Sequence, residues 1–337
     1  MTHLAPQSWT GRDDSEEGVG PWRWHQAMRA WGGAESAATV LVGFACDAGV
    51  RRNHGRAGAA AGPSALRTAL ANIALHSPLV LRDAGDISDE RTGGDSGRGS
   101  GGDSGGGGNV DDHLEAIQTQ YCRLIEQILR AGSRPIGLGG GHEIAWASWS
   151  GLVAALGASW SGRRVGVINF DAHFDLRAGA RATSGTPFRQ IAEQCQRSGR
   201  CFDYFCIGVS RVANSSALFE RAKTFGVSYL LDEQLTSSTL DAARRKLAAF
   251  LEPLEALYLT FCLDVLPASV APGVSSPAAR GVPLEIVEPL LDDVLASGLL
   301  RVADIAELNP RFDVDQRTAR VAARLAARIA EAGYPRE

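Results

Sequence analysis

The stretch Arg164-Val-Gly-Val-Ile-Asn-Phe-Asp171-Ala-His173-Phe-Asp175 carries the information that decides the fold. Its first half is a continuous apolar run containing β-branched residues, which reads as a strand buried on both faces, the kind found in parallel sheets covered by helices. Its second half sets three ionisable side chains at alternate positions just where that strand must end. The same form recurs along the chain in TVLVGFAC, PLVLRDAG, RPIGLGG, YFCIGVS, VSYLLDE, ALYLTFCLD and RVADIAEL. Helix-length stretches such as HLEAIQTQYCRLIEQILRAG and TLDAARRKLAAFLEPLEA separate them. Strands joined by helical crossovers are parallel βαβ units. Eight of them in series predict one three-layer α/β domain, and a closed (βα)8 barrel is the alternative that strand count leaves open.

One segment breaks this rhythm. From Arg91 to Asn109 the chain reads RTGGDSGRGSGGDSGGGGN, which cannot bury a core and is expected to be a disordered insertion. Because strand and helix patterns continue on both sides, it is placed as a loop within a single domain spanning 32–337. Residues 1–31 are expected to form an irregular arm.

Composition narrows the class of function. The 337 residues are 45% hydrophobic, as in soluble globular proteins, and the formal net charge of −4 comes from interspersed acids and bases. There is no broad positive field for nucleic acid or an anionic membrane, so the expected partner is a small molecule. No apolar run approaches the roughly 18 residues of a membrane span, and the N-terminus is polar and acidic where a signal peptide is basic then apolar. A cytoplasmic location is expected. The six cysteines, at 46, 122, 195, 201, 206 and 262, include no C-x-x-C pair and are read as reduced thiols.

In open α/β sheets ligands bind where strands end at their carboxyl edge. Gly139-Gly-Gly-His142-Glu143 follows RPIGL, and its glycines allow a tight turn that aims His142 into the crevice. Alternation along an extended strand turns Asp171, His173 and Asp175 to one side. Three such groups together would repel and lose hydration unless a cation sits among them. ALYLTFCLD delivers Cys262 and Asp264 by the same alternation, and RVADIAEL ends at Glu307, with Asp304 out of phase. His142, Asp171, His173, Asp175 and Asp264 are too many ligands for one tetrahedral zinc. They suit a pair of divalent ions such as Mn2+, which at roughly 3.5–4 Å apart can hold a bridging hydroxide for hydrolysis. Each piece has a plainer reading: GGGH as a glycine turn with a capping histidine, Asp264 as a helix N-cap, Glu307 as a surface residue. The arginines at 317, 320, 324 and 328 recur at helical spacing and read as a solvated face.

Taken in order, GGGHE, NFDAHFDLR, SGTPF, LDVLPASVAPGVSSPAARG and VADIAELNPRFDVDQRTA make the chain resemble the arginase and agmatinase family of ureohydrolases from about Val40 to Ala330. The resemblance implies a three-layer α/β/α sandwich with a mostly parallel eight-stranded sheet, which displaces the barrel. It also implies two Mn2+ per chain. One would be held by His142, Asp171, Asp175 and residue 262, the other by Asp171, His173, residue 262 and Asp264. Position 262 is normally the first Asp of an S/T-x-D-x-D motif and bridges both ions; here it is Cys262. Arginases carry a histidine just after S-G in the loop following DAHxD, and Ser184-Gly-Thr-Pro-Phe188 lacks it, which separates this chain from arginase proper. The closest branch implies hydrolysis of N-formimidoyl-L-glutamate to L-glutamate and formamide in histidine degradation, through a hydroxide bridging the two Mn2+. Asp264 would move a proton to the departing amine and Glu307 would hold the cationic formimino group. Arg56, Arg177, Arg211 and Asn214 are the expected donors to the substrate carboxylates. Two alternatives stay open: a different guanidino substrate (agmatine, guanidinobutyrate or arginine), and an impaired relative that only binds because Cys262 replaces the bridging carboxylate. A homo-oligomer is in keeping with the family, where trimers and hexamers are common.

Overall fold

The computed structural model describes residues 2–4, 9–18, 20, 23–88 and 113–332, so the glycine-rich segment 91–109 lies outside the described residues. Ten strands form one sheet: β1 (Thr2–Leu4), β2 (Arg29–Ala30), β3 (Thr39–Ala45), β4 (Leu81–Ser88), β5 (Arg134–Gly139), β6 (Val165–Phe170), β7 (Asp203–Val209), β8 (Ser228–Leu231), β9 (Ala256–Cys262) and β10 (Leu300–Ala306). Their spatial order is β1-β4-β3-β5-β10-β9-β6-β7-β8, with β2 also beside β4. Among the described residues, only β1 runs antiparallel to its neighbour. The sheet is open, with β1 and β8 at its ends, rather than closed into a barrel.

The eight strands expected from the apolar runs are β3 to β10. The other two correct the expectation of an irregular arm, because β1 and β2 come from the first 31 residues. At three and two residues they are too short to show a period. The same region supplies a helical turn, Trp24–Ala27, whose Trp24 is fully buried, and Trp9, whose Nε1 donates to Asp83 at 2.9 Å.

Strand alternation builds the three layers. In β6, Val165 and Val167 enter one core while Ile168 and Phe170 enter the other. The first core is closed by helices Leu114–Arg130, Ile144–Leu156, Pro187–Arg197 and Ser216–Thr224, through residues such as Tyr121, Trp149, Phe188 and Leu218. Opposite, helices Gly62–Ala71, Leu240–Leu251, Leu284–Ala296 and Arg317–Glu331 pack Leu70, Leu247, Leu290 and Ile329. Each such side chain contributes roughly 1.5–3 kcal/mol by leaving water. The arginines of the last helix do face outward, and Arg324 and Arg328 pair with Glu288 and Asp292 of the neighbouring helix. Among the described residues, no helix is long and apolar enough to cross a membrane.

The feature that makes the site is the order of four central strands, β5-β10-β9-β6. Gly137 pairs with Asp304, Asp304 with Thr260 and Thr260 with Asn169, so these residues stand side by side across the sheet. The carboxyl ends of all four strands therefore emerge together.

Candidate metal centre

β5, β6 and β9 deliver the expected ligands, and β10 delivers Glu307. After β5, Gly140 and Gly141 donate to Phe44 and Cys46 carbonyls at 2.8 and 2.9 Å, stitching the turn to the end of β3. A Cβ at Gly140 would stand 1.9 Å from the Cys46 oxygen, so only glycine passes here. His142 then turns inward. After β6, Asp171 folds back to accept from the His173 N–H at 2.7 Å, and Asp175 takes a left-handed conformation, φ 49°. Glu307, after β10, has φ 73°. A non-glycine residue in that region costs about 1 kcal/mol or more and persists where the surroundings hold it, as at binding sites.

All six residues expected to ligate meet at one spot. His142 Nδ1 lies 3.0 Å from Asp171 Oδ2 and 3.0 Å from Asp175 Oδ2. His173 Nδ1 lies 3.1 Å from Asp264 Oδ2 and 3.4 Å from Asp171 Oδ1. Ligand atoms of His142, Asp171 and Cys262 fall within 4.8 Å of one another, as do those of Asp171, His173 and Asp264. Asp171 is common to both groups. Cys262 thus turns its sulfur toward the site and not into the apolar core.

The charges show what the cluster lacks. Burial disfavours protonation of His142, but Asp171 and Asp175 outweigh it and hold its pKa well above the usual range. His173 behaves alike, with Asp264 and Asp171 overcoming burial. Asp171, despite burial, is kept far below the carboxylate range by the two histidines. Asp175 is pushed up to about 6 by burial and then by Asp171. Burial, followed by Asp171, Asp264 and Glu307, drives the Cys262 thiol well above 9, so without a cation it is neutral. His142 Nδ1 is buried and, although two carboxylates are near, has no hydrogen bond of acceptable geometry. A lone-pair nitrogen, three aspartates, a second imidazole and a sulfur converging in this way fit divalent cations, which also deprotonate a coordinated thiol.

Above the ligands opens a cavity of about 280 Å³. His142, His173, Asp175, Cys262, Asp264 and Glu307 line it, together with Asn53, His54, Arg56, Arg177, Ser184, Ser275 and Ser276. Glu307 is 4% exposed and pushed up to about 8 by burial, then by Glu143 and Asp264. Its Oε1 accepts from the His142 N–H at 3.0 Å, while Oε2 has no partner among the described residues. Arg56 donates from Nε to Ser275 O at 3.1 Å and stacks 4.2 Å over Phe312. Arg177 is exposed, and its guanidinium has no partner among the described residues.

Two of the expected substrate donors are not at the cleft. Arg211 pairs with Glu233 at 2.9 Å and borders a separate cavity with Tyr229 and Lys246. Asn214 is buried and spends both ends of its amide on backbone. It donates to Ala172 O at 2.8 Å and Ser210 O at 2.9 Å, and accepts from Phe174 N at 3.1 Å. It therefore shapes the turn that carries Asp171 and His173 and has nothing left for a ligand. Lining residues that sequence reading missed are Asn53, bonded to Ser184 Oγ at 3.2 Å, and Ser275 and Ser276. Polar residues in loops carry no period by which to find them.

The fold is an α/β/α sandwich whose central strand ends gather a buried cluster of groups able to hold divalent cations. The chain belongs to the arginase family, whose model matches residues 37–331. It is 50% identical to a formimidoylglutamase of Ralstonia nicotianae, over 99% of this chain and 98% of the relative. A formimidoylglutamase structure from Bacillus subtilis superposes with a TM-score of 0.79, covering 97% of this chain and 95% of that one, at 19% identity. A Trypanosoma cruzi formiminoglutamase solved with Mn2+ superposes with a TM-score of 0.70 at 25% identity, covering 89% and 95%.

Proposed function

We propose that the protein hydrolyses N-formimidoyl-L-glutamate to L-glutamate and formamide, with manganese as its cofactor. The observation that carries this reading is the charge layout of the cleft. The acids lining it (Asp175, Asp264, Glu307) lie against His142 or His173, and Arg56 and Arg177 also line it. A substrate with a cationic head and an anionic tail fits that polarity. The formimino group is such a head, and glutamate supplies two carboxylates. Agmatine ends in a second cation, and the α-ammonium group of arginine would meet no further acid among the described residues lining the cleft. The names of the relatives support the same substrate.

His142, Asp171, Asp175 and Cys262 would hold one ion, and Asp171, His173, Cys262 and Asp264 the other. When bound, the ions supply an activated hydroxide at neutral pH and polarise the electrophile. The chain supplies the rest. Glu307 Oε2, lacking any partner in a buried setting, accepts a charge-assisted hydrogen bond from the amidinium and orients it. Arg177 and Arg56 fix the carboxylates, which sets the formimino carbon over the ligands. As the oxygen nucleophile adds to that carbon, Asp264 receives its proton and passes it to the glutamate nitrogen. The carbon–nitrogen bond then breaks, leaving glutamate and formamide.

The test is product analysis of purified protein with Mn2+, offering N-formimidoyl-L-glutamate, agmatine, guanidinobutyrate and arginine separately. Glutamate and formamide are expected from the first, with little urea from the others. Urea as the main product would move the protein to a guanidino substrate. No turnover with any divalent ion would leave a protein that only binds.

A further inference from the structure

We infer that Thr260 and Asp304 form a buried relay that positions His142, fixing which of its ring nitrogens faces the cation. The inference rests on the reading of His142 as a ligand and concerns residues for which that reading has no role.

Asp304 is fully buried in the middle of the sheet, between β5 and β9. It accepts hydrogen bonds from three hydroxyls: Ser148 Oγ at 2.7 Å, Tyr258 Oη at 2.7 Å and Thr260 Oγ1. Space for this group is made by Gly137 in the adjacent strand, where a Cβ would stand 2.6 Å from Asp304 Cβ. A carboxylate in an apolar interior carries a large desolvation cost, and apolar residues of the same shape would pack there without it. Three donors reduce that cost but do not explain why the acid is there.

The direction of the hydrogen bonds does. Thr260 has one hydroxyl proton, and it points to Asp304. Its oxygen can therefore only accept from His142 Nε2, which lies 3.0 Å away. Nε2 must then carry a proton in every state of the ring, so any exchange between proton and cation takes place at Nδ1. That nitrogen is the one set 3.0 Å from both Asp171 and Asp175. Reversing the Thr260 hydroxyl would leave the lone pair on Nε2, pointing into the core, and the proton on Nδ1, where a cation should be. Asp304 prevents the reversal by taking the Thr260 proton. Phe188 meets the ring edge-on at 5.4 Å and limits its rotation. Strand register keeps the parts together, because Thr260 and Asp304 are paired residues of β9 and β10.

The test compares Thr260→Val, which keeps the shape and removes the acceptor, with Thr260→Ser, which keeps the acceptor. Mn2+ affinity of each is measured by calorimetric titration of metal-free protein. Loss of an outer hydrogen bond to a ligating histidine weakens metal binding about 10- to 100-fold. We expect a loss in that range for T260V and affinity near wild type for T260S. Equal affinity in all three proteins overturns the relay, and so does an equal loss in both variants, since that marks a packing role only. A readout on the wild type covers the case where T260V does not fold. In Zn2+-loaded protein labelled with 15N-histidine, the His142 Nε2–H proton should be visible and slow to exchange with solvent, and its absence overturns the inference. Mn2+ binding and the Nε2–H signal without turnover would sink the proposed substrate and leave the relay standing.

Discussion

Replacing Cys262 with Asp would put a carboxylate where the family pattern has one, and the metal-free protein should respond badly. Cys262 is 1% exposed, and Asp171, Asp264 and Glu307 already act on it. The same burial and two like-charged neighbours lift Glu307 from 4.5 to about 8. An Asp at 262 held protonated to neutral pH is shifted by about 3 units from its usual value near 4, which at about 1.4 kcal/mol per unit costs about 4 kcal/mol at pH 7. The sign follows from linkage. A carboxyl whose folded pKa is raised binds its proton more tightly in the folded state, so the loss grows as pH rises. At pH 5 only about one unit is expressed, and the cost falls to about 1.5 kcal/mol. Metal-free C262D should therefore melt roughly 5–10 °C below wild type at pH 7 and close to it at pH 5. Adding Mn2+ turns the repulsion into attraction, and its Kd should fall about tenfold or more relative to wild type, about 1.4 kcal/mol. Thermal melts with EDTA or Mn2+ at both pH values, with calorimetric titration, measure all of this. Unchanged metal-free stability together with unchanged Mn2+ affinity would show that residue 262 does not occupy a ligand position.

Three more outcomes are expected. Arg177→Ala should raise KM for N-formimidoyl-L-glutamate about tenfold, the worth of one charge-assisted hydrogen bond at an exposed position, with kcat and bound Mn2+ unchanged; Arg211→Ala, held by Glu233 elsewhere, should leave steady-state kinetics as they are. Glu307 at about 8, against 4.5 for the ordinary residue, contributes stability that is fully present below pH 4.5 and lost as pH rises to 8, at most about 5 kcal/mol. Urea titrations of metal-free Glu307→Gln and wild type should then diverge in favour of the variant from pH 5 to 8, and parallel curves would contradict the burial of that carboxylate. Brief iodoacetamide treatment of the native protein should label exposed Cys201 and spare Cys262, as read by peptide mass spectrometry.

The long strands were legible because they obey a period, and the centre because its ionisable residues cluster just past strand ends. Apolar runs mark β3 to β10, but β6 stops at Phe170 and β9 at Cys262. Asp171 to Asp175 therefore converge through a bend and a left-handed Asp175, and Asp264 through a helical turn, not by alternation. β1 and β2 were not legible, because strands of two or three residues exist only by pairing with β4. Arg211 and Asn214 went astray for a related reason. A loop position says which strand a residue follows but not where its side chain finds a partner, and Glu233 and three backbone groups took these two. Asp304 was seen to be out of phase with Glu307 and given no task. Its role depends on lying next to Thr260, and strand order is not written in any local pattern.

That order has a consequence for how the molecule comes into being. β10, the last of the described strands, is not at an edge; it fills the gap between β5 and β9. Until residues 300–306 leave the ribosome, the sheet can exist only as two blocks, β1-β4-β3-β5 and β9-β6-β7-β8, with His142 on one and Asp171, His173 and Asp264 on the other. The centre is thus complete only once β10 has joined the two blocks. A chain lacking β10 would keep Asp171, His173, Asp175, Cys262 and Asp264 at the ends of the adjacent strands β6 and β9, with nothing to hold His142 beside them.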